Sequence, residues 1–121
     1  TPEVYAQKLA DIRERAKAAG RDPRAITPAI TFLTSVASSR QQALDACSLM
    51  RKRPDWSDLT LEDMERRGVI VLGTPEECAA GVSRYVEAGA RYIILHIMPY
   101  DLKAAERAIE MYAKHILPRF A

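Results

Sequence analysis

Two runs of β-branched and apolar residues, Ala29 to Ala37 (AITFLTSVA) and Ala90 to Met98 (ARYIILHIM), constrain this chain more than any other feature. Neither is broken by glycine or proline, and each is nearly continuous in apolar character, as in strands covered on both faces. Helical patterns separate the runs, and a further one follows the second. Such a crossover makes neighbouring strands parallel, with helices packed outside. The expected fold class is α/β, built from parallel βα units. Two strands, or three with the short apolar run Val69 to Leu72, cannot close a barrel and make only a marginal sheet. The segment is therefore expected to lean on more protein or to belong to a larger parent.

The helices announce themselves by their ends. Thr1-Pro2-Glu3 opens the first with a capping hydroxyl and proline at the first helical position. Tyr5, Leu9, Ile12 and Ala16 follow at helical spacing, Gly20 ends the helix, and Arg21-Asp22-Pro23 is turn chemistry. Ser38 or Ser39 caps a second helix running through Ala43, Leu44 and Cys47 toward Met50. A proline and a charge cluster, Arg51 to Asp58 (RKRPDWSD), interrupt the pattern. Thr60, with Asp63 three residues on, caps a short helix to Arg67 that Gly68 terminates. Thr74-Pro75-Glu76-Glu77 is the clearest local signal, a capping box. Its helix presents Cys78, Val82, Tyr85 and Val86 on one side and ends at Gly89. The last helix carries Leu102, Ala105, Ile109, Tyr112 and Ile116 on one stripe and stops before Pro118.

Composition narrows the function classes. At 121 residues, 48% apolar and 28% charged, the chain is one globular segment rather than a disordered one. Eighteen basic against sixteen acidic residues give +2, too balanced to imply a nucleic-acid partner. No window approaches the ~18 apolar residues of a membrane span. Thr1-Pro2-Glu3 is neither a basic nor an apolar leader, so a soluble, cytoplasmic protein with no membrane partner is expected. Cys47 and Cys78 lack metal-ligand spacing and fall inside helical patterns, which makes them two free, buried thiols. His96 and His115 are far apart, so no metal is expected. No nucleophile–base pair, carboxylate dyad, dinucleotide fingerprint or P-loop supports a hydrolase or a kinase.

The stretch from Gly73 to Pro118 (GTPEECAAGVSRYVEAGARYIILHIMPYDLKAAERAIEMYAKHILP) resembles the carboxy-terminal end of the luciferase-like monooxygenase family, the flavin- and deazaflavin-dependent oxidoreductases. The likeness lies in the Gly-Thr-Pro-Glu-Glu helix start, in Glu87-Ala88-Gly89 before the last strand, and in the closing Leu117-Pro118-Arg119. Upstream, Ala18-Ala19-Gly20-Arg21-Asp22-Pro23 looks like the family's turn before its penultimate strand, and Ser38 to Ala43 is similar to its following helix start. The resemblance implies a TIM (β/α)8 barrel, of which residues 1–121 form a single segment, the carboxy-terminal quarter to third around strands seven and eight. The stretch between Cys47 and Val69 is short against the family's usual insertion. The family's amino-terminal strands, which supply much of the pocket, have no counterpart here.

What the resemblance implies for function is an oxidoreductase. The parent would transfer a hydride between reduced deazaflavin (coenzyme F-420) or FMN and a small organic substrate, or activate oxygen with reduced flavin, with deazaflavin preferred and no metal. Its partners would be the small-molecule substrate and either further copies of itself or the remainder of the barrel. Little activity is expected of this chain alone. The alternative is a catalytically silent oligomerising or interaction domain of the same fold.

Reactive groups of such a barrel stand at the carboxyl ends of strands, here Thr34 to Ser38 and His96 to Asp101. His96 is the candidate catalytic residue, placed to polarise a substrate carbonyl or hydrogen-bond a cofactor ring; a packed, satisfied histidine is the plainer role. Ser35 and Tyr100 are candidate substrate contacts, and Asp101 a cap for the last helix. Gly73 and Thr74 are candidate cofactor contacts, because a helix start offers amide donors to a phosphate, although a plain cap explains the same residues. Arg51, Lys52, Arg53, Arg66 and Arg67 are either a partner for an anionic cofactor tail or a solvated face. Trp56 is a lid, a subunit-contact anchor or a buried ring.

Overall fold

Every long helix begins where its cap predicts. Thr1, Ser39, Thr60, Thr74 and Asp101 accept backbone N–H bonds from Val4, Gln42, Asp63, Glu77 and Ala104. The computed structural model describes residues 1–48, 58–98 and 101–121; Met50, Arg51 to Arg53, Trp56 and Tyr100 lie outside the described residues. The helices are α1 (Pro2–Ala18), α2 (Arg40–Cys47), α3 (Leu61–Arg66), α4 (Pro75–Glu87) and α5 (Leu102–Met111). α5 runs on into a π-helical turn, Tyr112–Ile116, and a short 3-10 turn, Leu117–Arg119. No helix among the described residues is long and apolar enough to cross a membrane.

Three parallel strands, β1 (Ala29–Val36), β2 (Ile70–Gly73) and β3 (Tyr92–Ile97), form a sheet in the order β2-β1-β3. The central β1 pairs Leu33 with Ile70 on one side and with His96 on the other, which fixes which residues share a face. Ile30, Phe32, Thr34 and Val36 point to the first face with Val71, Ile93, Leu95 and Ile97; α4 and α5 pack there. Phe32 stacks on Tyr85 with ring centroids 5.3 Å apart, and Tyr5 of α1 meets the same ring edge-on at 6.3 Å. Thr34 is hydrogen-bonded to Tyr112 inside this core.

Leu33, Ser35, Ile70 and Leu72 point to the second face, where Ala43 and Cys47 of α2 and Met64 of α3 cover them. Helices on both faces follow from handedness. The β1-to-β2 connection steps one way across the sheet and the β2-to-β3 connection steps back the other way, so right-handed crossovers lie on opposite faces.

One expectation needs correcting. β3 is not covered on both faces: Ile93, Leu95 and Ile97 are half-buried, whereas Tyr92 and Ile94 are 59% and 51% exposed and His96 is exposed. α2 and α3 reach only the carboxyl half of the second face, and β3 is the sheet's edge, so nothing among the described residues lies over that strip. On α5, Leu102 and Ile109 are 73% and 55% exposed, while Ala108, Tyr112 and Ile116 are buried. The inward line runs through alanines that allow close approach to the sheet. The flank carrying Leu102 and Ile109 projects where the sheet ends and finds no neighbour.

Candidate functional site

Parallel pairing brings the carboxyl ends of all three strands to one end of the sheet, with Val36 beside Gly73 and Thr34 beside Ile97. Of the residues singled out in the sequence, Ser35, Gly73, Thr74 and His96 meet at this end; Tyr100 lies outside the described residues.

His96 occupies the last turn of the strand pleat on the open second face. Its strand is anchored just beyond it, where the N–H of buried Met98 donates to the Thr34 carbonyl at 2.8 Å. Register sets Leu33 beside His96, Thr31 beside Ile94 and Ala29 beside Tyr92. The result is a flat strip two strands wide, mostly apolar, with a threonine hydroxyl and an imidazole on it. The strip escaped the sequence reading because both faces of β3 carry large apolar residues, which hides the period of two.

Ser35 shares the second face but not the opening. It is 1% exposed, and its hydroxyl donates to the Ala43 carbonyl at 2.8 Å, tying α2 over the sheet.

Gly73 and Thr74 form the predicted helix start, and an anion already sits on it. The Thr74 N–H donates to the Glu77 carboxylate at 2.8 Å, and the Glu77 N–H donates to Thr74 Oγ1 at 3.3 Å. Gly73, at φ +133°, is the residue that makes room, since a Cβ there would collide with the Glu77 carboxylate. Arg40 reinforces the arrangement: its guanidinium lies 3.5 Å from Glu77 and 2.6 Å from Glu65, and it also reaches the Leu72 carbonyl at 3.4 Å. No local pattern marks Arg40 in the sequence, since its partners are 25 and 37 residues away. A phosphate at this turn has to displace Glu77.

The cysteines are free and buried, as expected. Burial pushes the Cys78 thiol up to about 11 and raises that of Cys47, so neither supplies a thiolate nucleophile near neutral pH. Among the described residues no three metal-ligating side chains converge. A cleft of about 530 Å³ lies on the first face, lined by Val82, Val86, Ile93, Leu95, Tyr112 and Phe120. None of the four described candidate residues touches it.

The model of the family described as luciferase-like monooxygenase matches residues 1–92. The chain belongs to the luciferase-like monooxygenase family. Its likeness to solved structures concerns the fold. One is the coenzyme F-420 dependent tetrahydromethanopterin reductase of Methanopyrus kandleri, 18% identical with a TM-score of 0.72, covering 100% of this chain and 43% of that one. Another is the monooxygenase RslO1 of Streptomyces bottropensis, 21% identical with a TM-score of 0.70, covering 100% of this chain and 39% of that one. The chain thus spans less than half the length of either of these proteins. None of the curated proteins compared with it matches. Luciferase-like membership establishes the α/β fold of parallel βα units and the oxidoreductase and monooxygenase character of the family.

Proposed function

We propose that the chain is the carboxy-terminal portion of a luciferase-like barrel whose whole transfers a hydride between reduced deazaflavin and a small organic substrate, with FMN as the other possible cofactor. The observation that carries this reading is the open strip of Thr31, Tyr92, Ile94 and His96 at the sheet's second face, next to a free strand edge. A segment cut from a barrel has such an inward face and such an edge. Deazaflavin comes first because one of the similar structures is a coenzyme F-420 dependent reductase.

The residues present fit a flat ring system. Tyr92 and Ile94 offer an apolar surface on which a ring lies, beside the covered Leu33. Thr31 and His96 supply hydrogen-bonding groups at its margin. When bound, the cofactor supplies the hydride chemistry. The protein's part is to hold the substrate carbonyl or ring edge with the His96 imidazole at the carboxyl end of β3 and to keep the surface dry. Gly73 and Thr74 contact a cofactor phosphate only with Glu77 swung aside, which its position on the exposed first turn of α4 permits. Tyr100, on the connection after β3, and Ser35, once freed from Ala43, are the proposed substrate contacts.

The test is a fluorescence titration of coenzyme F-420 and of FMN into the gene product that carries this chain, beside its His96→Ala variant. Saturable quenching that weakens about tenfold in the variant is expected. Quenching by neither cofactor sinks the proposal.

A further inference from the structure

The chain leaves β1 toward α2 on the second face and leaves β3 toward α5 on the first, so two adjacent strands send their connections in opposite directions. Divergence of this kind opens a crevice beyond the carboxyl ends, the position where open α/β sheets take ligands. The structure has one there, a cavity of about 310 Å³ between α2 and α5. Its floor and walls are Val36, Ala37, Ala46, Ala104 and Met111, all apolar. Its polar lining residues are Ser38, Gln42 and Arg107. Arg107 has no ion-pair or hydrogen-bond partner among the described residues, and neither has the Ser38 side chain. The crevice is separate from the strip that carries His96, since it is lined by the end of β1, the turn into α2, α2 and α5 rather than by the open half of the second face.

We infer that this crevice binds a small organic anion. Arg107 takes the carboxylate or phosphate end in its planar fork, the Ser38 hydroxyl and the Gln42 amide donate to the same oxygens, and a short apolar body rests on Ala46, Ala104 and Met111. The volume lies at the small end of the range for ligand pockets, roughly 300–1,000 Å³, which sets the size class at a few carbons plus the acid. Lys103, one turn before Arg107 on the same side of α5, adds charge of the same sign. Glu106 and Glu110 also belong to α5, and Glu110 is engaged by Lys114 at 3.3 Å. Nothing in this inference depends on the cofactor proposal, and its test contains no cofactor.

The experiment is an amide chemical-shift titration of the gene product that carries this chain with butyrate and, separately, with inorganic phosphate. The expected result is saturable movement of Ser38, Gln42, Ala104 and Arg107 with butyrate, and tighter binding of butyrate than of phosphate. Arg107→Met should weaken butyrate about tenfold, while Arg84→Met, on α4 and away from the crevice, should leave it unchanged. Phosphate binding as tightly as butyrate would mean that the apolar floor takes no part and would overturn the organic-anion assignment. Absence of saturable shifts at these residues, or equal affinity in Arg107→Met, would overturn the site itself. Retention of the parent spectrum outside the crevice shows that each variant is folded, so a loss of binding is read at the site.

Discussion

Raising the pH should loosen the core through one thiol. Cys78 is completely buried, and its sulfur faces the carbonyls of Ser35 and Gly73 at 3.8 and 3.9 Å. Burial lifts its ionisation from 9.0 to about 11. Between those values the unfolded chain has released a proton that the native chain still holds, so stability is fully present below about pH 9 and falls as pH rises through the window. Two pH units at about 1.4 kcal/mol each give a loss of roughly 3 kcal/mol by pH 11. Tyr5 and Tyr85 are also raised by burial and add a further decline above pH 10 that any variant keeping them shares; Tyr112 is raised by burial and, to a lesser degree, by Cys78 itself, so its smaller share moves with the thiol. Cys78→Ala removes the thiol together with its influence on Tyr112. Near neutral pH the variant should be about 1 kcal/mol less stable than the parent, because a small side chain leaves a small void. By about pH 11 it should be the more stable of the two. Urea unfolding of both chains from pH 8 to 11, followed by far-ultraviolet circular dichroism, gives the two curves. Curves that stay parallel across the window would refute the burial-driven shift.

Other parts of the structure make equally definite demands. Thr34→Val and Tyr112→Phe each orphan a buried hydroxyl and should each cost about 1–2 kcal/mol, whereas the double variant should cost clearly less than their sum; additivity in a double-mutant cycle would deny the Thr34–Tyr112 bond. The Tyr5 hydroxyl is buried without a partner among the described residues, so Tyr5→Phe should be neutral or stabilising by up to about 1 kcal/mol in thermal unfolding, and a clear loss would reveal a missed partner. Ile94→Ser on the open strip should change urea stability by less than about 1 kcal/mol, against about 3–5 kcal/mol for Phe32→Ala in the first-face core; comparable losses would mean that the strip is covered.

Local chemistry made the element list legible: Thr60 with Asp63 and Thr74 with Glu77 form both capping boxes as their spacing requires, and the β-branched runs are strands. Parallel pairing of β1 with β3 was also legible, because the intervening helices forbid a tight hairpin. Facing was harder. Which side of α5 turns inward depends on where the sheet ends, and nothing within Leu102–Ile116 records that β3 is an edge. The exposure of Tyr92, Ile94 and His96 was hidden for a related reason, since a strand apolar on both sides gives no sign of which side is left open. The position of His96 near the carboxyl end of a strand was legible in the run that carries it. The engagement of Ser35 with Ala43 and of Arg40 with Glu65 and Glu77 was not, because these contacts join elements that only the tertiary fold brings together.

Mapping coenzyme F-420 onto the gene product by amide chemical shifts tests most directly where the chemistry resides. Movement concentrated at Thr31, Leu33, Ile94 and His96, with the helix-covered residues of the first face unmoved, is the predicted pattern. Shifts confined to the cleft beside Val82 and Phe120, or scattered with no cluster on β1 and β3, would contradict a cofactor bed on the open side of the sheet.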